Sequence, residues 1–498
     1  MHSENKADEL LILVRLGGEV TIKSKRTRSK FLRRLARNIG DALRTAGIEH
    51  SIEPVWGRMF VRTTSHMALP VLVRVFGISS ISWVEREVAA DLEAIVEAGS
   101  NHFRAAVEGR KFAVRARRSG RHAFSSGDIE VQLGAALLPH SAGVDLSDPD
   151  MTIFVEVRDD TAYLFSERLT GAGGLPLGVE GNAVALLSGG YDSAVSAWLL
   201  LKRGVALDYV FCNLGGDAYE RAVVHVGKAL ADDWSYGTRP HLHVVDFADV
   251  LRELREKTRP AYWQVVLKRM MYRAACMVAA ELDAEAVVTG EAVGQVSSQT
   301  LTNLRSIEKV ATLPVLRPLI GFDKEEIIDR ARAIGTAALS EQVKEYCAIA
   351  PGHPVTAASI ARVDVEEDRM DLAVLDAAVS SRKKLDLRAL QPSDLAAPYL
   401  FIDTVPEDAV IIDCRPAAQY RGWHLKGALH MEEWELLRDF RRLDKDRMYV
   451  LYCAHGIQTA YLAERMQRQG YETYSFRGGV RGVMKYAQAR GLNLSLLR

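Results

Sequence analysis

Short apolar segments alternate with longer helical stretches from Ala183 onward, and this pattern restricts the fold more than any other feature of the sequence. The segments predicted to be strands are residues 183–187, 207–211, 241–246 and 286–289. Strands that alternate with helices in this way form parallel, doubly wound sheets with helices on both faces. The middle of the chain is therefore predicted to be an α/β domain of this kind.

The 498 residues leave room for about three or four domains. Before Ala183 the pattern predicts two smaller α/β units, residues 1–66 and 67–170, and the glycine-rich run 171–176 marks a boundary. The predicted elements of these units are a strand at 10–16, helices at 31–46, 69–76 and 129–138, a strand at 111–117, and a hairpin of 153–157 with 162–165.

The doubly wound domain is predicted to cover residues 171–389 and to end in a helical segment at 356–384. Residues 390–398 contain two prolines and are predicted to be a linker. The last part, 399–498, repeats the α/β pattern on a smaller scale. The sequence thus predicts an α/β multidomain protein.

A strand, a Ser-Gly-Gly loop and a helix follow one another at Leu186-Leu187-Ser188-Gly189-Gly190-Tyr191-Asp192-Ser193. Glycines let backbone N–H groups approach an anion, and the helix N-terminus adds partial positive charge. The loop lacks the G-K-[ST] ending of a Walker A motif. It resembles the PP-loop of ATP pyrophosphatases, which split ATP between its α and β phosphates. The alternative, a tight turn that merely requires glycine, is less favoured because Asp192 and Ser193 follow the glycines.

Two further segments are expected near this loop, Thr289-Gly290-Glu291 and residues 294–300, because ligands of doubly wound sheets lie at the carboxyl ends of strands. Lys268, Arg269 and Lys324 lie on predicted helices and could reach a phosphate, although a solvated helix face explains each of them equally well.

Two runs of basic residues contain no acidic residue, one over residues 23–37 and the other over 110–121. The residues singled out for RNA binding are Lys23, Arg26, Arg115, Arg117 and Arg118. Such local positive charge suits a nucleic-acid backbone, whereas solvated basic faces are the alternative. The whole chain is neutral, with 64 basic and 64 acidic residues, so net charge gives no indication of a partner.

Cys453 lies between a predicted strand, residues 448–452, and the start of a helix, in Cys453-Ala454-His455-Gly456. Backbone N–H groups around a cysteine in this position lower the thiol pKa and stabilise a thiolate or persulfide. Together with Asp413-Cys414-Arg415, the His424–Ala428 turn and Arg477-Gly478-Gly479, the loop resembles a rhodanese domain. Gln458 stands where many rhodaneses have arginine, which weakens the case for thiosulfate as donor. The alternative for Cys453 is a buried small apolar residue.

Five widely spaced cysteines and no C-x-x-C pair favour a reducing cytoplasm over a disulfide framework or zinc site. No metal ligands are predicted. No apolar run approaches the roughly 18 residues of a membrane helix, and the N-terminus is polar, so neither membrane association nor secretion is expected.

In this order the motifs resemble one family, the bacterial tRNA 4-thiouridine synthetases, or ThiI-type tRNA sulfurtransferases, in their long form with a rhodanese domain. Glu19–Ser24 resembles the opening of the family's N-terminal ferredoxin-like domain, and residues 67–170 resemble a THUMP RNA-binding domain. The stretch from Gly290 to Leu301 is the most specific match.

The resemblance implies binding of ATP with Mg²⁺ in the PP-loop domain and of tRNA by the N-terminal domains. The implied ATP-binding residues are Leu186, Leu187, Ser188, Gly189, Gly190, Asp192, Ser193, Phe211, Cys212, Lys268, Gly290, Gln299 and Lys324. The implied catalytic residues are Asp192, Cys453 and Cys347, with Cys347 as the thiol that resolves the Cys453 persulfide.

The same resemblance implies a cysteine desulfurase as sulfur donor and a thiol reductant that reopens a Cys347–Cys453 disulfide. It also implies a second role in supplying sulfur for the thiazole of thiamine, together with a thiamine sulfur-carrier protein. A homodimer is compatible with this domain layout.

Three alternatives remain. The PP-loop domain could adenylate another base position; the chain could be an RNA-binding persulfide carrier that does not use ATP; or it could be a plain thiosulfate sulfurtransferase. The intact phosphate loop argues against the carrier, and the third alternative leaves about 390 residues without a purpose.

Overall fold

The computed structural model describes residues 9–55, 57–341, 343, 354–390, 400–415, 417–453 and 458–490. The chain divides into two compact units. Unit 1 comprises Met1–Ala183, Trp198–Leu207 and Ala231–Pro240, and unit 2 comprises Val184–Ala197, Asp208–Leu230 and His241–Arg498.

The described residues of unit 1 form ten short strands in two sheets. In chain order they are β1 (Leu10–Leu16), β2 (His50–Val55), β3 (Arg58–Thr63), β4 (Ile78–Val84), β5 (Arg86–Ala89), β6 (Lys111–Ser119), β7 (Gly143–Val144), β8 (Met151–Arg158), β9 (Thr161–Phe165) and β10 (Leu169–Thr170). The first sheet has the order β10-β4-β1-β3-β2 and the second β5-β9-β8-β6-β7. The predicted hairpin is confirmed, since β8 and β9 pair antiparallel.

Five helices cover these two sheets: α1 (Gly18–Thr21), α2 (Lys25–Thr45), α3 (Ala68–Leu72), α4 (Leu92–Phe103) and α5 (Ser126–Leu137). Helix α2 buries Phe31, Leu35 and Ile39, which are spaced to share one face. It begins at Lys25, six residues before the predicted start, because Ser24 caps it and its first turn carries no apolar residue that would reveal it.

The larger sheet of unit 2 has the order β15-β14-β11-β12-β13-β16. Its strands are β11 (Asn182–Leu186), β12 (Ala206–Asn213), β13 (His241–Asp246), β14 (Val287–Val288), β15 (Val315–Leu316) and β16 (Lys383–Asp386). The pairs β11–β14, β14–β15 and β12–β13 are parallel, as the strand–helix alternation predicts. The edge strand β16 is antiparallel to β13.

The helices of this part are α6 (Tyr191–Lys202), α7 (Asp217–Trp234), α8 (Ala248–Lys257), α9 (Trp263–Glu281), α10 (Leu301–Glu308), α11 (Lys324–Ala333), α12 (Ala337–Ser340), α13 (Ile360–Glu367) and α14 (Ala373–Ser380). Helix α9 is buried along most of its length and lies at the centre of a large apolar cluster. It therefore holds the side chains at its N-terminal end on a rigid support.

The predicted helical segment at 356–384 is wrong at its C-terminal end. Residues 356–384 form two short helices, α13 and α14, and the start of strand β16. Lys383 and Lys384 resemble an exposed helix end in the sequence, yet their backbone pairs with Val244 and His243 of β13. Pairing with a distant strand thus overrides a local pattern that favours helix.

The C-terminal sheet of unit 2 has the order β17-β21-β20-β18-β19. Its elements are β17 (Phe401–Ile402), β18 (Val410–Asp413), α15 (Ala417–Gly422), β19 (Leu429–His430), α16 (Glu433–Asp439), β20 (Met448–Tyr452), α17 (Gln458–Gln467), β21 (Glu472–Phe476) and α18 (Gly479–Ala489). All its strand pairs are parallel. The predicted linker, 390–398, falls outside the described residues except for Leu390.

Candidate active site

The Ser-Gly-Gly loop joins β11 to α6 and is held by hydrogen bonds among its own residues. Gly189 has φ +81°, a left-handed conformation that favours glycine. The backbone N–H and the hydroxyl of Ser188 lie 3.2 Å from the Ser193 oxygen, and the Ser193 hydroxyl donates to the carbonyl of Gly190 at 3.0 Å. The turn is thereby fixed at the N-terminus of α6, where backbone N–H groups attract an anion.

The carboxylate of Asp192 lies between two donors from distant segments. Lys324 Nζ, at the start of α11, is 2.9 Å from Oδ1, and Gln295 Nε2 is 3.0 Å from Oδ2. Gly290 packs against the same turn, because a Cβ added to it would lie 2.6 Å from the backbone carbon of Asp192. The phosphate loop, the Thr289–Glu291 segment and α11 therefore meet at one place.

A cavity of about 560 Å³ opens at this meeting point. It is lined by every residue predicted for ATP binding except Gly189: Leu186, Leu187, Ser188, Gly190, Asp192, Ser193, Phe211, Cys212, Lys268, Gly290, Gln299 and Lys324. The structure brings these residues together; their roles toward a ligand stay predictions.

The cavity combines an apolar wall with cationic and N–H donors. Val210, Phe211 and Met271 lie on the apolar side, whereas Lys268 and Lys324 add positive charge. Such a set of groups fits a nucleotide, with apolar surface for the base and donors for the phosphates. The described residues hold no group of three or more His, Cys, Asp or Glu side chains that could bind a metal ion.

A buried network centred on Glu291 forms another wall of the cavity. Glu291 is 2% exposed, and its Oε2 accepts hydrogen bonds from Tyr272 Oη, Thr289 Oγ1 and Arg317 Nε. Arg317 also bonds Glu308 at 2.7 Å. Burial, and then the Glu291 carboxylate, raise the pKa of Tyr272 well above its usual value, so its hydroxyl remains protonated and donates to Glu291.

Helix α9 contributes Lys268, which was predicted, and three lining residues that the sequence did not reveal. Gln264, Lys268, Met271 and Tyr272 all line the cavity. Their spacing of four, three and one residues places them on one helical face, and this periodicity was the signal available in the sequence. Arg269 does not join them, because it is fully buried and bonds Glu367, Asp364 and the carbonyl of Ser306.

Cys453 lies directly after β20, as predicted, and is 2% exposed. The Thr459 hydroxyl lies 3.6 Å from its sulfur, and the backbone N–H of Val480 donates to its carbonyl at 2.8 Å. Asp413 and Arg415 form a buried ion pair at 2.6 Å after the neighbouring strand β18. The loop 454–457 and Cys347 lie outside the described residues.

Unit 1 contains a second, cationic cavity of about 330 Å³. Arg15 of β1, Arg115 and Arg117 of β6, and Arg168 line it. Two carboxylates also line it: Glu156 forms ion pairs of 2.8 to 3.2 Å with Arg15, Arg58 and Arg158, and Glu130 accepts a hydrogen bond from the backbone N–H of Ala116 at 2.8 Å. Positive groups therefore dominate the wall, which suits a phosphate.

The other residues singled out for RNA binding are solvent-exposed. Lys23 lies two residues before α2, Arg26 lies in its first turn, and Arg118 lies on β6. Not every residue of the first basic run faces solvent, because Arg34 donates to the carbonyls of Leu177 and Gly237 within unit 1. A run of basic residues in the sequence does not show which arginines bond within the fold and which face solvent.

Comparison with known families covers most of the chain. Residues 178–372 match the family described as Thiamine biosynthesis protein (ThiI), and 11–82 match the ThiI ferredoxin-like domain. Residues 89–167 match the THUMP domain and 401–485 the rhodanese-like domain.

Two curated relatives align with this chain over nearly their full length. A tRNA sulfurtransferase of Desulfurococcus amylolyticus is 39% identical and covers 94% of this chain and 97% of its own. A tRNA sulfurtransferase of Proteus mirabilis is 36% identical and covers 92% of this chain and 98% of its own. This chain belongs to the tRNA sulfurtransferase family.

A solved structure supports the same assignment. The crystal structure of a 4-thiouridine synthetase–RNA complex with bound ATP is 32% identical, with a TM-score of 0.66, and covers 76% of this chain and 99% of that one. The predicted fold is thereby confirmed: a ferredoxin-like domain, a THUMP domain, a PP-loop domain and a rhodanese-like domain.

The expected restriction of the family to bacteria is not supported, since the relative from Desulfurococcus amylolyticus is archaeal. Within the described residues, the structure holds no helix of sufficient length and apolarity to cross a membrane.

Proposed function

We propose that this protein adenylates O4 of a uridine in tRNA with ATP and replaces that oxygen with sulfur carried on Cys453, producing 4-thiouridine. The observation that carries the proposal is the cavity in which the phosphate loop, Asp192, Lys268 and Lys324 converge. The relatives named tRNA sulfurtransferase and the 4-thiouridine synthetase with bound ATP support it.

In the first step, uridine O4 attacks the α-phosphate and pyrophosphate leaves. Lys268, Lys324 and the N–H groups at the start of α6 would stabilise the negative charge that develops on the phosphates. Mg²⁺ would accompany ATP, held mainly by phosphate oxygens and one carboxylate. Asp192 is the carboxylate beside the loop.

In the second step, the terminal sulfur of a Cys453 persulfide attacks C4 and AMP leaves. Attack of the Cys347 thiolate on the Cys453 sulfur then breaks the S–S bond, leaves sulfur on the base and forms a Cys347–Cys453 disulfide. A thiol reductant reopens that disulfide, and a cysteine desulfurase reloads Cys453. The assignments of Cys347, the reductant and the desulfurase remain predictions from the family resemblance.

Binding of tRNA would involve unit 1. Arg115 and Arg117 line the cationic cavity, and Lys23, Arg26 and Arg118 present exposed positive charge. Phosphate contacts of this kind give affinity without reading sequence.

Supply of sulfur for thiamine is a second candidate function, favoured by the description of the family that residues 178–372 match. The thiamine sulfur-carrier protein, a homodimer and a cytoplasmic location are likewise predictions.

The substitution Asp192→Ala tests whether the protein uses ATP itself. We expect it to reduce tRNA-dependent AMP release and 4-thiouridine formation by about 100-fold or more, while persulfide loading of Cys453, measured by protein mass spectrometry, continues. Asp329→Ala is the matched control, because Asp329 is an exposed carboxylate on α11 that pairs with Arg332. Full thiolation by Asp192→Ala would instead favour a persulfide carrier that does not use ATP.

A further inference from the structure

Glu291 has one saturated and one unsatisfied carboxylate oxygen. Oε2 accepts from Tyr272, Thr289 and Arg317 at 2.5, 3.2 and 3.1 Å. Oε1 is buried and accepts no hydrogen bond from any residue that the structure describes. Lys268 Nζ lies 3.9 Å from Oε1, within ion-pair distance but beyond hydrogen-bond distance.

A buried carboxylate oxygen without a donor is costly in free energy, and such groups are rare outside functional sites. The three donors on Oε2 fix the carboxylate, so Oε1 cannot rotate away to find a partner elsewhere. Glu291 lines the same cavity as the phosphate loop, and so does Lys268, whose Nζ lies on the Oε1 side of the carboxylate. A ligand in the cavity would therefore approach Oε1, which could accept a proton or a hydrogen bond from it.

The proposed reaction requires a group that removes a proton. Uridine carries hydrogen on N3, next to C4. When O4 forms a bond to the α-phosphorus, C4 can remain neutral only if the N3–H bond breaks and its electron pair forms an N3=C4 double bond. The C4=O π electrons become the new O–P bond, and the electrons of the α–β P–O bond leave with pyrophosphate. One proton must therefore leave N3 for each uridine adenylated.

We propose that Glu291 Oε1 is the general base that takes the N3 proton of the target uridine during adenylation. This inference rests on the proposed function, because it assigns a residue to the adenylation step. A carboxylate is a weak base, but formation of the O4–P bond makes N3–H far more acidic, so the transfer becomes favourable as that bond forms. After the persulfide displaces AMP and the S–S bond is broken, C4 carries a thiolate; a proton then returns to N3 and the 4-thione results.

A base at Oε1 would also select uridine over cytidine. Cytidine has an unprotonated N3, which would meet the carboxylate with a lone pair and no proton to give. Repulsion between an unpaired acceptor and a buried carboxylate disfavours binding strongly. The same oxygen would therefore contribute both to the chemistry and to the choice of base.

The test compares the wild type with Glu291→Gln in single-turnover formation of AMP on a tRNA transcript. We expect the substitution to slow AMP formation by about 100-fold or more and to leave the affinity for α,β-methylene-ATP within about threefold, since the amide keeps the shape of the side chain. Glu308→Gln is the matched control; it removes the other carboxylate from Arg317, and Glu308 does not line the cavity.

A transcript made with 5-fluorouridine separates a base from a structural group. Its N3–H is more acidic, so it should restore part of the rate of Glu291→Gln while changing the wild-type rate little. If Glu291→Gln does not fold, Glu291→Asp carries the same test, with a reduced rate that 5-fluorouridine raises in part.

Three results would overturn the inference. One is a Glu291→Gln rate within twofold of the wild type, and another is an equal effect of 5-fluorouridine on both proteins. The third is a higher KM for ATP with an unchanged rate at saturation, which would assign Oε1 to nucleotide binding. A wild-type protein that forms no AMP with any tRNA would overturn the proposed function itself.

Discussion

At the scale of single residues, Asp192 shows how the site depends on contacts between distant segments. Its ion pair with Lys324 is partly exposed, and exposed pairs contribute only about 0–1 kcal/mol. A nucleotide phosphate can therefore compete for Lys324 at little cost. The sequence identified both residues individually, but their pairing across 132 positions depends on the folded sheet.

Glu291 illustrates what the sequence could not supply. Its position in Thr289-Gly290-Glu291 was recognised, but its role was not, because three of its contacts come from Tyr272, Arg317 and Thr289 on separate or neighbouring segments. An unsatisfied oxygen is a property of the packed structure and leaves no pattern in the chain.

His243 on β13 gives a prediction about pH at this scale. It is 1% exposed, and its Nδ1 accepts from Arg382 Nε at 3.1 Å. Burial lowers the pKa of His243 to about 4, from a usual 6.5. Between these values the unfolded chain binds a proton that the folded protein does not, so stability should fall as pH drops from 6.5 to about 4, by up to about 3 kcal/mol.

Urea unfolding at several pH values measures this effect. His243→Gln should flatten the pH dependence in that window, although it lowers stability overall. An identical pH slope in wild type and His243→Gln would show that other groups cause the loss.

At the scale of elements, the parallel strands β11 and β14 place the phosphate loop beside the Thr289–Glu291 segment. The alternation of strands and helices predicted this neighbourhood correctly, because ligand sites of doubly wound sheets lie at the carboxyl ends of strands. It failed for strand β16, whose partner β13 is about 140 residues away and leaves no local signal.

Gly290 should tolerate no side chain where these two segments touch. A Cβ there would lie 2.6 to 2.7 Å from backbone atoms of Asp192 and Ser193, so Gly290→Ala must push the first turn of α6 away. We expect a loss of about 1–3 kcal/mol in stability and of at least tenfold in affinity for ATP, measured by thermal unfolding and calorimetry.

Gly321→Ala is the control, because a Cβ at Gly321 meets no atom within 4 Å and its φ is not left-handed. Wild-type affinity for ATP in Gly290→Ala would show that the two segments can separate without harm to the nucleotide site.

At the scale of the whole molecule, a neutral chain carries local clusters of positive charge in unit 1, in the basic runs 23–37 and 110–121 and around the cationic cavity. Arg115→Ala combined with Arg117→Ala should weaken tRNA binding several-fold and reduce the slope of log affinity against log salt by about 1 to 2, since each phosphate contact contributes about one counterion. Fluorescence anisotropy with labelled tRNA at increasing KCl measures both quantities.

Arg252→Ala combined with Arg332→Ala is the matched control for this experiment, because both arginines are exposed and pair only locally, with Asp249 and Asp329. An unchanged salt slope in the Arg115/Arg117 double variant would exclude these two side chains from contact with RNA phosphates.

The four-domain order was predictable from the sequence because each domain carries its own local motif. The composition of the site was harder to predict. The cavity contains α9 residues such as Gln264 and Tyr272, which resemble ordinary core positions in the sequence. The structure separates Lys268, which lines the cavity, from Arg269, which is buried in a salt-bridge network one position later. Lys268 and Arg269 differ only in which side of α9 they lie on, and this depends on how the helix is rotated against the sheet.

The most direct test of the whole account is mass spectrometry of tRNA nucleosides from cells that lack this gene and are complemented with wild type, Cys453→Ala or Cys414→Ala. Cys414 is a second buried cysteine of the same domain and serves as control. We predict that 4-thiouridine returns with the wild type and with Cys414→Ala but not with Cys453→Ala. Full recovery of 4-thiouridine with Cys453→Ala would contradict the account, because sulfur would then reach the uridine by another thiol.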